Sequence, residues 1–268
     1  MASETDRHEV ERGGLPQEHA TPALAPAQEQ PLVSVLVPCC GQIEYARLCV
    51  PALLRHSRRP CELIFLDVGS LDGTSDFLDG VAAAAPVRVE AVHVRDEGGF
   101  AAACQAGLSL ARGSFVVWLN SDVLVTDSWL EQLVALASLN PEIGVVGPTS
   151  NCAPAPQRVS PVPYRLRPPT PRHGPGRAGP SSLDLAPLDR FASEWRERHR
   201  RLWSDCESLG GFCMLIKRQV LQQVSLFESG GGVLDADAFC RRVRRAGYVC
   251  AFCRDLYVHH FGSRLAFA

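Results

Sequence analysis

Short apolar runs alternate with helical segments through the first half of this chain, and that alternation limits the fold more than any other feature. Strand-forming runs occupy residues 31–38, 61–67, 87–94 and 114–120. Helix-forming segments occupy residues 44–56, 73–85, 99–111 and 128–139. Strands that are apolar almost throughout and are separated by helices indicate βαβ units around a buried parallel sheet. We therefore predict an α/β fold with a mostly parallel central sheet and helices on both faces.

The rest of the sequence divides into an N-terminal tail, one domain and an insertion. Residues 1–31 are rich in Ala, Pro, Gln and Glu and have almost no large apolar residues, so we expect disorder there. A single domain follows over residues 32–268. A Pro- and Arg-rich stretch at about residues 150–188 interrupts this domain, and we expect it to be a long mobile loop without regular structure.

Further elements are predicted in the C-terminal third. Residues 188–203 place Phe191, Trp195, Leu202 and Trp203 on one stripe of a helix. The other segments are a strand leading into a short helix at 210–227, a helix at 235–246 capped by Gly247, and a strand at 248–253.

Charge and hydropathy exclude several classes of protein. The formal net charge is -2, so no global basic field favours nucleic acid as a partner, and the runs RERHRR and RRVRR are interpreted as solvated helix faces. No apolar run approaches the roughly 18 residues of a membrane span, so we expect no integral membrane segment. The N-terminus lacks the apolar core of a secretory signal. We expect a cytoplasmic protein, for which peripheral attachment at the inner membrane is an open alternative.

The eleven cysteines are expected to be buried and reduced. Cys250 and Cys253 have the spacing of a metal or redox pair. However, they lie in the predicted strand YVCAFC, where positions three apart point to opposite faces of the sheet. Two ligands on opposite faces cannot bind one zinc ion, so we interpret both as small apolar side chains.

Five motifs, in this order, carry a resemblance to a known family: VSVLVP, LIFLDVGSLDGT, GGFAAACQAGLSLARGSFVVWLNSD, DADAFCRRVRRAGY and VHHFGS. Together they resemble family 2 glycosyltransferases, in particular rhamnosyltransferase-like members with a GT-A fold. The resemblance implies an inverting hexosyltransferase that moves a sugar from a nucleotide-diphosphate donor to a hydroxyl of a carbohydrate or other acceptor. It also implies a divalent metal, Mn²⁺ or Mg²⁺, as cofactor.

The resemblance assigns the metal site to the end of the fourth strand. Asp122 corresponds to a carboxylate of the family DxD motif and is the predicted metal ligand, whereas Asn120 replaces the first acidic residue and is predicted to contact the ribose or phosphate. The alternative is that both residues form a turn that caps the next helix. Asp127 already suits that cap, so we favour the site interpretation.

The nucleotide contacts are also implied by the resemblance. Asp67 corresponds to the aspartate that commonly contacts the base, and Pro38 is expected to line the base pocket. Gly98, Gly99 and Phe100 are expected to let the backbone approach the nucleotide, although close helix–strand packing explains this segment equally well.

Two carboxylates are candidates for the general base that takes a proton from the acceptor hydroxyl. Asp235 and Asp237 follow three glycines at a predicted helix start, where Leu234 replaces a family acid. Residues two apart on a helix point about 200° apart, so only one of them can face the cleft. We prefer Asp235 as the base, and the other carboxylate then caps the helix or interacts with its dipole.

His259 and His260 correspond to a family position that ligates the metal or contacts the diphosphate. Strand alternation allows only one of them to face the site. Two other functions are kept as alternatives. One is a degenerate, non-catalytic sugar-nucleotide-binding member, favoured by Asn120 and Leu234. The other, ranked lower, is a nucleotidyltransferase, which needs a basic Gly-rich signature that VPCCGQIEYAR lacks.

Overall fold

The computed structural model describes residues 18–20, 31–94, 99–167, 183–227 and 234–262. The strands, in chain order, are β1 Glu18–Ala20, β2 Val33–Cys39, β3 Cys61–Val68, β4 Arg88–Val94, β5 Phe115–Leu119, β6 Val123–Leu124, β7 Ile143–Ser150, β8 Leu202–Cys206, β9 Cys213–Lys217 and β10 Val249–His260. The helices are α1 Ile43–His56, α2 Thr74–Ala84, α3 Gly99–Leu110, α4 Trp129–Leu139, α5 Ala186–Arg198, α6 Arg218–Leu221 and α7 Ala236–Arg245.

The strands form one sheet in the order β1-β8-β10-β7-β9-β5-β2-β3-β4, with β6 paired to β10. The α/β class is as predicted, but the sheet is mixed rather than mostly parallel. Strands β2 to β5 run parallel, as do β7 and β10, whereas β9 lies antiparallel between β5 and β7. Each antiparallel pair among the described strands includes β8, β9 or β10, which come from the C-terminal part, where the chain returns by routes other than a right-handed βαβ crossover.

The sheet has a topological switch point between β2 and β5. From β2 the chain progresses outward to β3 and β4, and β5 then pairs with the other side of β2. The pairing of β2 with β5 ends at Leu36 and Trp118, so the buried Pro38 pairs with β3 alone. Proline has no backbone N–H to donate, and at this position none is needed for pairing with β5. Open α/β sheets bind ligands in the crevice at this point, beyond the carboxyl ends of the strands.

Both faces of the sheet are covered, as the sequence predicts. Alternate residues of β2 enter two different apolar clusters, with Val35 on the face of α1, α4 and α5, and Leu36 on the face of α3 and α7. Cys253 belongs to the first cluster and Cys250 to the second, so these two thiols do lie on opposite faces. Eight of the eleven cysteines are buried, and none is in a disulfide.

The structure departs from the predicted elements in two places within the C-terminal half. The predicted helix at 188–203 ends at Arg198, and Leu202 and Trp203 lie in β8 instead. Strand β7 was not predicted, although it is the parallel neighbour of β10. In both cases the pairing of distant strands overrides the local pattern.

Two segments expected to be irregular contain ordered residues. Within the predicted tail, Glu18–Ala20 pairs with β8, and the remaining residues of 1–30 lie outside the described part. The predicted insertion begins within β7 and ends within α5, and its residues Val159 and Tyr164 are buried in the core. Its residues 168–182 lie outside the described part. Within the residues that the structure describes, none of the helices is both long and apolar enough to cross a membrane.

Candidate functional site

Asp122 and His260 face each other at the carboxyl edge of the sheet. Asp122 follows β5 and is buried, and β6, which comes next, pairs with the end of β10 so that Val123 lies opposite His260. The main-chain oxygen of Asp122 accepts a hydrogen bond from the amide of Phe261 at 3.1 Å. This pairing places His260 Nε2 at 3.3 Å from Asp122 Oδ1. Two residues that are far apart in sequence thus meet where the resemblance predicts a metal site.

The tautomer of His260 follows from its second nitrogen. His260 Nδ1 lies 2.7 Å from the carbonyl oxygen of Cys152, which can only accept, so Nδ1 must donate. Nε2 therefore carries a proton only in the imidazolium, and in the neutral ring its lone pair faces the Asp122 carboxylate. Burial acts to lower the pKa of His260, but interaction with Asp122 outweighs it and raises the pKa. A positive charge between the two side chains, either a proton or a metal ion, would suit this arrangement.

The pair fits a small divalent cation. Two ligands bound at about 2.1 Å and at right angles around an octahedral ion lie about 3 Å apart, close to the observed 3.3 Å. A histidine whose other ring nitrogen donates to a carbonyl is the usual arrangement of a metal ligand. Among the described residues, no cluster of three or more His, Cys, Asp or Glu side chains forms a complete cage. Mg²⁺ is usually held by only one or two carboxylates, because water and substrate phosphates supply its other ligands.

His259 lies on the other face of β10. Its Nδ1 is 2.9 Å from the hydroxyl of Tyr164, and its ring packs against Phe261. Burial lowers the pKa of His259 to about 4, so the ring is neutral at physiological pH. The structure therefore brings His260 to Asp122 and directs His259 toward Tyr164.

Residues after β7 support this arrangement, and the sequence analysis did not identify them. Asn151 bonds to the main chain of His260, and it also accepts a hydrogen bond from Tyr257, whose hydroxyl contacts that of Tyr164. The available signal was the polar run Thr149, Ser150 and Asn151, directly after the apolar run IGVVGP.

Phe212 completes the surroundings of His260. Its ring stacks on the imidazole with 5.1 Å between ring centroids, and its main-chain oxygen accepts from the amide of Asn120 at 2.9 Å. Asn120 is half-buried at the end of β5. The loop before β9 thus links Asn120 and His260.

Asp67 lies at the end of β3 in a dense hydrogen-bond network. Its carboxylate accepts from the amide of Ser70, the hydroxyl of Ser75 and Nδ1 of His93, the last at 2.8 Å. Burial acts to raise the pKa of Asp67, but these hydrogen bonds outweigh it and hold the pKa below its usual value. His93 also contacts Asp79 at 2.9 Å, and the two carboxylates raise its pKa.

Asp72 joins the two loops that follow β2 and β3. Its carboxylate accepts from the amide of Ile43 at 2.9 Å and from both the amide and the hydroxyl of Thr74. Gly73 has a φ of 89°, a conformation that favours glycine. Asp72 therefore organises a turn beside Pro38 and Asp67, at the edge where a base is expected to bind.

Phe100 is a core residue in this structure. Its ring makes edge-on contacts with Trp118 and Phe227 at 5.7 and 5.9 Å between centroids. Gly99 begins α3 with a φ of 54°, and a Cβ there would meet no atom of the described residues within 4 Å. The Phe100 side chain packs α3 onto the sheet. Gly98 lies outside the described residues.

The two candidate bases lie at the start of α7. Asp235 is its N-cap and accepts from the amide of Ala238 at 2.8 Å, while Asp237 accepts from the hydroxyl of Ser208. Both side chains are exposed. A Cβ on Gly211 would lie 3.2 Å from the Cβ of Ala236, so this helix start packs beside the loop that contacts Asn120 and His260. The N-cap is therefore Asp235, the preferred base, and not the other carboxylate as predicted from the sequence.

Solved structures with the same architecture define the class of fold. A mannosyltransferase from Pyrobaculum calidifontis, solved with GDP-Man and Mn²⁺, matches with a TM-score of 0.61 and 17% identity over 89% of this chain and 59% of its own. GalNAc-T7, solved with UDP, GalNAc and Mn²⁺, also gives a TM-score of 0.61 at 17% identity, over 87% of this chain and 44% of its own. The fold is that of the GT-A glycosyltransferases.

The chain belongs to glycosyltransferase family 2, because the family model "Glycosyl transferase family 2" matches residues 34–224, more than half of its length. The segment that carries Asp235, Asp237, His259 and His260 lies beyond the matched residues.

Curated relatives cover parts of the chain. Glycosyltransferase GlyG of Streptococcus pneumoniae is 31% identical over 38% of this chain and 34% of its own length. The uncharacterized protein y4gI of Sinorhizobium fredii is 29% identical over 90% of this chain and 26% of its own length. The teichuronic acid biosynthesis glycosyltransferase TuaG of Bacillus subtilis, named as putative, is 33% identical over 37% of this chain and 38% of its own length. The chain thus spans between about a quarter and two fifths of these relatives.

Proposed function

We propose that this protein is an inverting, metal-assisted glycosyltransferase that moves a sugar from a nucleotide-diphosphate donor to a hydroxyl of a carbohydrate or other acceptor. The observation that carries the proposal is the approach of His260 Nε2 to Asp122 Oδ1 at the ligand edge of a GT-A fold. Membership of family 2 supports sugar transfer, and TuaG supports a role in polysaccharide biosynthesis.

Asp122 and His260 would hold the Mn²⁺ or Mg²⁺ ion. When bound, the ion supplies charge stabilisation to the diphosphate leaving group, whose negative charge grows as the glycosidic bond breaks. The protein fixes its side of this site in advance, because Cys152 orients the imidazole and Asn151 holds the main chain of His260. Such preorganisation lowers the cost of binding the charged group.

The nucleotide is proposed to bind over the switch point between β2 and β5. Pro38 and Asp67 end adjacent strands there, and Asn120 ends the strand on the other side of β2. The ionised, hydrogen-bonded carboxylate of Asp67 is an acceptor suited to a base or ribose donor. Gly99 begins α3 with a φ of 54°, and its backbone is proposed to approach the nucleotide.

Asp235 is proposed as the general base, and Asp237 as the alternative. A general base must reach the proton that it accepts, and both carboxylates lie at the exposed start of α7. The hydrogen bond from Ala238 engages Oδ1 of Asp235, and this fixes the orientation of the carboxylate at the helix end.

A thermal-shift screen with UDP-, GDP- and dTDP-sugars, each with and without Mn²⁺, tests the proposal. Ligand binding to the native state raises Tm, by the equivalent of about 2.7 kcal/mol at a hundredfold excess over Kd. We expect stabilisation that needs both Mn²⁺ and one class of nucleotide. The proposal fails if none of these donors shifts Tm in either condition. Proton NMR of the product from the matching donor then reports the anomeric configuration, and retention would contradict the inverting mechanism.

A degenerate, sugar-nucleotide-binding role is the second candidate. It is favoured by Asn120 and Leu234, which stand where the family resemblance implies acids. This candidate predicts the same thermal shift without turnover. Saturable binding of a donor, combined with no transfer or hydrolysis over many hours, would favour it over the enzyme.

A further inference from the structure

A cavity in the described part of the chain shares no residue with the candidate active site. It has a volume of about 240 Å³ and lies between the end of α1, the residues before α4 and one side of α5. The lining residues are Arg55, His56, Arg58, Asp127, Asp189, Ala192, Ser193 and Arg196. None of them has a role in the function proposed above.

The charges that line this cavity are unequal and loosely paired. Three arginines face two aspartates, so the cavity is positive even with His56 neutral. Arg55 and Asp189 are 4.0 Å apart, and Arg196 and Asp127 are 3.7 Å apart, which exceeds hydrogen-bond distance. The 3.0 Å contact of Arg58 with Asp127 is the one close pair that joins lining side chains among the described residues. The arginines therefore retain donors for a further acceptor.

One of these arginines is held in place. The Nε of Arg196 donates to Gln132 Oε1 at 3.1 Å, and its Nη2 donates to the main-chain oxygen of Asp127. A guanidinium whose orientation is fixed before binding loses little side-chain entropy when an anion arrives. Arg55 and Arg58 are 67% and 70% exposed, so they are able to move toward a ligand.

His56 supplies an independent sign of a ligand. Its side chain is 9% exposed, yet within the described residues its Nδ1 has no hydrogen-bond partner. The nearest carboxylate oxygen, Asp127 Oδ1, is 4.0 Å away. A buried polar atom without a partner destabilises the folded state. An acceptor in the cavity would satisfy Nδ1 when that nitrogen carries the proton.

The donors and the volume together define the ligand. Pockets for drug-sized molecules occupy roughly 300–1,000 Å³, so this cavity is small for a sugar nucleotide. Guanidinium groups match the oxygens of phosphate in geometry and charge. We propose that this cavity binds a phosphoryl group, either as free phosphate or as the terminal phosphate of a lipid, between Arg55, Arg58 and Arg196.

Inorganic phosphate is the probe for the first experiment. Tm is measured as a function of phosphate concentration for the wild type and for the double variant Arg55→Gln/Arg58→Gln. All samples contain EDTA, and NaCl is adjusted to keep the ionic strength constant. We expect a saturable rise in Tm for the wild type and an apparent Kd at least tenfold weaker in the double variant. Arg200→Gln is the matched control, because Arg200 is also an exposed arginine in an ion pair but lies outside the cavity. It should behave as the wild type does.

Vesicles separate the two sources of phosphate. Co-sedimentation is measured with phosphatidylcholine vesicles that contain phosphatidic acid and with vesicles of pure phosphatidylcholine. If the wild type binds the vesicles with phosphatidic acid and the double variant does not, the ligand is a lipid-borne phosphate. A phosphate-dependent rise in Tm without such vesicle binding assigns the free ion. The proposal is overturned if neither probe distinguishes the double variant from Arg200→Gln, or if chloride raises Tm as much as phosphate does.

Discussion

Asn151 holds His260 through both polar groups of its main chain. Its Oδ1 accepts from the His260 amide at 2.9 Å, and its Nδ2 donates to the His260 carbonyl at 2.9 Å. The next residue, Cys152, accepts from the imidazole of the same histidine. A two-residue segment after β7 therefore fixes the position, the orientation and the tautomer of the ring that faces Asp122.

Replacing Asn151 should weaken metal binding more than it weakens the fold. In Asn151→Ala the end of β10 loses both bonds, and residues that orient a ligand typically contribute 10–100-fold in metal affinity. We expect Mn²⁺ affinity, measured by calorimetry with the nucleoside diphosphate present, to fall by that factor. Asn140→Ala is the control, because Asn140 also bonds to a main-chain amide but lies before β7, at the opposite end of that strand from Asn151. Equal Mn²⁺ affinity in the two variants would refute the positioning role.

The two candidate bases can be separated by substitutions that preserve hydrogen bonding. Asparagine caps a helix about as well as aspartate, so Asp235→Asn removes the charge while leaving α7 intact. If Asp235 is the base, this variant lowers kcat by about 10²–10⁴-fold with little change in Tm. Asp237→Asn should then retain most of the activity. The reverse pattern assigns the base to Asp237.

The capping bond of Asp235 has its own stability test. Asp235→Ala loses the bond to the Ala238 amide and should cost about 1 kcal/mol, with a range of 0.5–2 kcal/mol. Urea denaturation of Asp235→Ala and Asp235→Asn measures the difference directly. Equal stability of the two variants would show that the cap contributes nothing.

The Asp67–His93 pair predicts a pH-dependent contribution to stability. The folded pKa of His93 is raised above that of the unfolded chain, so its stabilisation is complete below about pH 6.5 and is lost as pH rises through the folded pKa. Asp67 has a lowered pKa and stays ionised across this window. His93→Gln should therefore destabilise the protein more at pH 6 than at pH 8, as measured by Tm. A larger effect at pH 8 would contradict the assignment.

Local patterns predict the N-terminal half of the fold well. Strands β2 to β5 and helices α1 to α4 lie within a few residues of their predicted positions, because each strand is a short apolar run and each helix has its own boundary signals. The C-terminal half is harder, because β7 contains Gly147 and Pro148, which are typical of turns, and its strand structure depends on pairing with β9 and β10.

Some residues of the candidate site are likewise predictable from the sequence, and others are not. Asp122 and His260 are identifiable because they end strands in motifs that resemble a family, although nothing in the sequence shows that their side chains meet. The sequence does not predict a role for Asn151, Cys152 or Tyr164, because they lie in a Pro- and Arg-rich stretch that predicts a loop. Their contacts with β10 are long-range and depend on the completed sheet. The distinction between His259 and His260 likewise needed the register of β6 against β10.

Release of nucleoside diphosphate from the donor that gives a thermal shift is the most direct test of the account. The assay follows the wild type with Mn²⁺, the wild type with EDTA, and Asp122→Asn with Mn²⁺. We predict release that requires Mn²⁺ and falls at least a hundredfold in Asp122→Asn, because removal of a single charge-stabilising group costs about that much in kcat. Release that is unchanged by EDTA and by the substitution would contradict a metal site at Asp122 and His260.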